Sequence, residues 1–100
     1  MTINAGVLIK FIMSAKRLSL QTLTQSRPFD CEADATGLYI KNSQGNSRRI
    51  AKGDLEAFCI EYTKTGARTA GHYQAQTFNS SYLLAIVNAY ETYQKSIAKE

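Results

Sequence analysis

The sequence predicts an α+β domain, a three-stranded antiparallel meander packed by two or three helices. Three observations point there. Residues 29–34 alternate apolar and acidic with period two, the pattern of a half-buried strand. Ser43-Gln44-Gly45-Asn46 supplies turn chemistry between two further strand-like runs. Apolar residues at helical spacing lie on both sides of this block.

Val7, Leu8, Phe11, Ile12, Ala15 and Leu18 predict an amphipathic helix over about residues 3–17. Gly6 and the β-branched content leave a strand as the alternative, and Leu20 and Leu23 are expected to plug the core as the chain crosses to the sheet. Pro28 marks a boundary. Beyond it Phe29, Cys31 and Ala33 face one way and Asp30, Glu32 and Asp34 the other. Ala35-Thr36-Gly37 turns the chain, Leu38 and Ile40 alternate with Tyr39 and Lys41, and the return strand runs through Arg48, Arg49 and Ile50. Leu55, Phe58, Cys59 and Tyr62 place one stripe of a second helix on the sheet, with Asp54 near its start and Lys64 near its end as the helix dipole prefers. Gly66 is the expected C-cap. A loop follows over 67–78, which either joins an anion-binding surface or is pinned to the core by Tyr73 and Phe78 with its cations solvated. Asn79 or Ser80 then caps a last helix carrying Tyr82, Leu83, Ile86, Val87, Tyr90, Tyr93 and Ile97.

One hundred residues, 44% of them hydrophobic, suffice for one domain spanning 1–100 with one core and no deep substrate cavity. The stretch Ala5-Gly-Val-Leu-Ile-Lys-Phe-Ile-Met13 is apolar, but Lys10 interrupts it and it is too short to span a membrane. It reads as a structural helix of a cytoplasmic protein. Cys31 and Cys59 stand apart, without the spacing of a zinc site, and read as reduced core residues. No metal or other cofactor is expected.

The net charge of +4 favours anionic partners. Lys41, Arg48, Arg49 and Lys52 follow one another with no intervening acid. Lys64, Arg68, His72 and Tyr73 lead towards a helix N-terminus at Ser80-Ser81, where backbone N–H groups favour phosphate or carboxylate. The candidate anion- or nucleic-acid-binding residues are therefore Arg48, Arg49, Lys52, Arg68, His72 and Tyr73, provided that the hairpin and the 64–82 segment share a face.

Asp30, Glu32 and Asp34 project from one face of a strand, a spacing that suits a hard divalent ion or, more simply, pairing with Lys41 and Arg49. A nuclease pattern of two acids and a lysine fails because Tyr39 stands where an acid would precede Lys41. His72 has Ser80 and Ser81 downstream, but no nucleophile elbow and no acid between Glu61 and Glu91. No enzyme is expected. The last helix carries more apolar surface than a single stripe, which makes Tyr82, Ile86, Tyr90 and Tyr93 a candidate homodimer interface.

The order Pro28-Phe29, Gly37-Leu38, Gly45, Arg49-Ile50, Glu56, Tyr62, Gly66, Tyr73 and Asn79-Ser80-Ser81-Tyr82-Leu83-Leu84 resembles a small bacterial domain family of unassigned function. Such short stand-alone proteins resemble those carried by integron cassettes and other mobile elements. The resemblance covers about residues 20–87 and implies no activity, cofactor or catalytic residue, only a compact accessory or binding role.

The leading functional expectation is a small binding or adaptor module whose basic hairpin and loop contact an anionic partner, nucleic acid first. The alternative is a protein-interaction or homo-oligomerising module using the tyrosine-rich last helix. A small-ligand sensor or an enzyme stands behind both.

Overall fold

In the computed structural model, which describes residues 3–23, 25–75, 77 and 79–98, three helices lie on one face of a four-stranded antiparallel sheet. The chain order is α1 (Ala5–Ala15), β1 (Leu18–Gln21), β2 (Pro28–Asp34), β3 (Gly37–Asn42), β4 (Ser47–Ala51), α2 (Lys52–Thr65), a 3-10 turn (Ala70–Tyr73) and α3 (Ser80–Ala98). The strands neighbour one another in that same order.

The α+β architecture matches the expectation, and the strand count does not. Leu18–Gln21 is a fourth strand, paired antiparallel to β2 with Leu18 opposite Cys31 and Leu20 opposite Phe29. Its alternation of half-buried leucines with exposed Ser19 and Gln21 is a period-two pattern only four residues long. Leu20 packs against the core as expected, whereas Leu23 is exposed.

Helix α1 starts where the Asn4 side-chain oxygen accepts the Val7 N–H at 2.9 Å, one of the donors a helix start leaves orphaned. It buries Ala5, Leu8, Ile9 and Ile12. The helix therefore prevails over the strand alternative, shorter at each end than expected. Ahead of it, Ile3 is buried and exchanges backbone hydrogen bonds with the Thr63 hydroxyl on α2.

The β3–β4 hairpin closes at the expected residues. The Asn42 side-chain oxygen accepts the N–H groups of Gln44 and Asn46, and Gly45 takes a positive φ of 85°. Register then puts Leu38 opposite Ile50 and Tyr39 opposite Arg49. Gly37 is required by a close approach, since a Cβ there would run into the Ile50 carbonyl oxygen. Gly66 ends α2 in the left-handed region and donates its N–H to Tyr62 O at 2.7 Å, as expected of a C-cap.

Helix α1 lies over β2, α2 over β3 and β4, and α3 over β1. One cluster of buried side chains fills the space between the layers, with Phe29, Cys31, Leu38, Ile40 and Ile50 from the sheet meeting Leu8, Ile12, Leu55, Phe58, Leu83, Ile86 and Val87 from the helices. The opposite face of the sheet is uncovered and presents Ser19, Asp30, Glu32, Tyr39, Lys41, Ser47 and Arg49. Phe78 lies outside the described residues. Among those described, no helix is long and apolar enough to cross a membrane.

Candidate functional site

The six residues expected to bind anions do not share one surface. Arg48 and Arg49 are consecutive in β4, so their side chains leave on opposite faces. Arg48 lies opposite Ile40, on the helix side, and its Nη1 reaches Asn79 Oδ1 at 3.4 Å. Arg49 lies on the uncovered face, 5.9 Å over the Tyr39 ring, and its Nη2 donates to Thr36 O at 3.3 Å. Lys52 opens α2 and lines a separate cleft with Asn4 and Glu56.

The other three serve the loop's own architecture. Arg68 Nη2 donates to Glu91 Oε1 at 2.8 Å, and Tyr62 donates its hydroxyl to Glu91 Oε2 at 3.0 Å. Burial first, then the bond to Glu91, pushes the Tyr62 phenol up. His72 Nε2 lies 2.8 Å from Glu61 Oε2, a distance at which the ring N–H donates to the carboxylate. Tyr73 is fully buried, packs its ring 4.6 Å from that of Phe58, and donates its hydroxyl to Ala67 O. The 3-10 turn is thus held to α2 and α3 by the side chains assigned to a ligand.

The hairpin and the loop do meet at one point, where Arg48 contacts Asn79 at the start of α3. Asn79 O accepts the N–H groups of Tyr82 and Leu83, so this residue heads the helix through its carbonyl. Ser80 donates its hydroxyl to Ala70 O and so ties α3 to the 3-10 turn.

The acids of β2 are partly occupied. Asp30 accepts from the Ser19 hydroxyl at 2.7 Å and lies 3.9 Å from Arg17. Asp34 accepts from the Thr36 hydroxyl and N–H and from the Tyr39 hydroxyl; these bonds, that of the Thr36 hydroxyl first, bring its carboxyl down to about 2. Lys41 stands opposite Asp30, but Arg49 turns to Thr36 and Tyr39 rather than to an acid. Among the described residues no group of three His, Cys, Asp or Glu could hold a metal ion. The two thiols, Cys31 and Cys59, are free and buried, and desolvation pushes both up to about 12.

The residues expected at an interface divide differently. Ile86 is fully buried in the core. Tyr82 is half-buried with its ring edge-on to Phe29 at 4.9 Å. Tyr90 and Tyr93 converge on Phe11 of α1, both at 5.4 Å between ring centroids. Around these three rings, Val7, Ala15 and Leu18 complete an apolar groove of about 590 Å³ between α1 and α3. Tyr93 stays 49% exposed on its lip, and Tyr90 Oη accepts from Gln94 Nε2 at 2.9 Å. Phe11, Val7 and Ala15 lie on the α1 stripe, and their part in the groove depends on the packing of α1 beside α3, which the periodicity of α1 alone does not show.

No family model, curated protein or solved structure matches the chain.

Proposed function

We propose that this chain is a protein-interaction module that docks an apolar segment of another polypeptide in the α1–α3 groove and does no chemistry of its own. The observation that carries this reading is Tyr93, a large aromatic left half exposed against Phe11 in a mainly apolar groove. Aromatic side chains around an accessible hollow are the usual anchors of an interface. The buried free thiols fit a reducing compartment, so the cytoplasm is the proposed location.

The test uses a helical peptide of about four turns with a leucine stripe on a glutamine background, titrated into 15N-labelled protein. Shifts are expected at Val7, Phe11, Ser14, Tyr90 and Tyr93, and Tyr93→Glu is expected to weaken binding about tenfold or more. No shifts in the groove at millimolar peptide would end the reading.

A second reading keeps the anionic partner. Arg17, Lys41 and Arg49 flank the exposed Tyr39 around a shallow hollow of about 420 Å³ on the uncovered sheet face, an arrangement that suits a stacked base and its phosphate. Asp30, Glu32 and Asp34 on the same face weigh against it. Its test is binding to single-stranded DNA and RNA at low salt, expected to fall steeply as salt rises. An absence of binding at low salt would dispose of it.

A further inference from the structure

The α1–α3 groove has a charge as well as a shape. Of the eight residues that line it, Lys10 is charged, Ser14 is polar and none is acidic. The nearby acids are engaged elsewhere, since Glu91 holds Arg68 and Tyr62 and Asp30 faces the other side of the sheet beside Ser19. An occupant with apolar anchors and carboxylates on its flank would thus meet complementary chemistry.

A second copy of the chain fits less well. A two-fold contact presents the same patch from both subunits, and that patch has no acid to meet Lys10. The exposed end of α3 would enter with Tyr93, Lys95 and Ile97, again without a free acid among the described residues. A helix fits the space because the α1 wall from Val7 to Ala15 runs for about two turns, the span of anchors at i, i+3 and i+7.

Resting on the interaction-module reading, we propose that the groove takes an acidic amphipathic helix of a partner protein. Its apolar stripe lies along Phe11, Tyr90 and Tyr93, and its carboxylates reach Lys10. The overall charge of +4 steers the same partner towards the chain.

Three peptides with the same leucine stripe, on glutamate, glutamine and lysine backgrounds, are titrated against wild type and Lys10→Glu by fluorescence anisotropy at low salt. The glutamate peptide is expected to bind wild type about fivefold or more tighter than the lysine peptide, with the order inverted by Lys10→Glu. Raising the salt should narrow the gap. Equal binding of all three, or tightest binding of the lysine peptide, overturns the acidic partner and leaves the docking groove standing. No binding by any of them removes both. A dimer that Tyr93→Glu dissolves and the glutamate peptide does not displace would also overturn the proposal, in favour of a second copy.

Discussion

Arg48 and Arg49 are neighbours in sequence and stand on opposite sides of the sheet, one reaching Asn79 at the head of α3 and the other lying over the Tyr39 ring. A run of cations in a strand is therefore two half-runs, each with its own surroundings. This divides the basic hairpin and removes the single anion-binding surface that the run suggests. It also makes the two residues separable by substitution. Arg48→Ala should weaken the attachment of the hairpin to α3, while Arg49→Ala should leave it intact. Amide exchange at the start of α3 distinguishes them, with faster exchange expected for Arg48→Ala alone.

Gly37 is expected to be the least replaceable glycine. Alanine there drives a methyl group into the Ile50 carbonyl, a backbone atom that cannot rotate away. The cost should be about 1–3 kcal/mol, as for other forced overpacking. Gly45→Ala meets no neighbour and bears only the strain of its positive φ, about 1–2 kcal/mol. Urea midpoints of the two variants check this, and an unshifted midpoint for Gly37→Ala would refute the packing argument.

Tyr73 should behave as a core residue. Tyr73→Phe loses the hydroxyl's bond to Ala67 O and should cost about 1 kcal/mol, while Tyr73→Ala empties the site beside Phe58 and should cost about 3–5 kcal/mol. Thermal unfolding followed by circular dichroism measures both. A Tyr73→Ala protein as stable as wild type would return the residue to the list of ligand contacts.

Asp34 gives a pH dependence with a definite sign. Its carboxyl is lowered from 3.8 to about 2 in the fold, by its bonds from Thr36 and Tyr39. A lowered pKa means that the charged form belongs to the folded state, so its contribution is complete above about pH 4 and disappears as the pH falls through 2. Wild type should therefore be more stable than Asp34→Asn at neutral pH, and the two should converge near pH 2. A side-chain NMR titration with its midpoint near 4 would contradict this.

Cys31 and Cys59 should be inert in the folded protein. Burial keeps both thiols protonated at any ordinary pH, and the thiolate is the reactive form. A disulfide-exchange reagent at pH 8 should label neither until urea unfolds the chain, when both should react within seconds. Rapid labelling of native protein would show that one of them is reached by solvent.

The sequence made some of this legible because the determining interactions are local. The turn at Gly45 and the cap at Gly66 depend on residues within a few positions of each other, and the β2–β3–β4 pairings join consecutive strands through short turns. Strand β1 was hidden by its length, since Leu18-Ser19-Leu20-Gln21 alternates for only four residues directly after a helix. The opposite facing of Arg48 and Arg49 is implied by period two, which puts Arg49 on the same face as Lys41 and the β2 acids and Arg48 on the other. The fate of Arg68 and His72 was not legible. Their partners, Glu91 and Glu61, lie on two different helices, and only the tertiary packing brings them within 2.8 Å.

Strand order that follows chain order has a consequence for how the molecule assembles. Each sheet pairing joins consecutive segments, so every loop that must close to build the sheet is short and its entropic cost is low. The distant joins belong to the helices, where Ile3 meets Thr63 and Arg68 meets Glu91. The sheet is thus the part whose closure costs least chain entropy, whereas the joins that tie the first residues to α2 and the loop to α3 span far more of the chain.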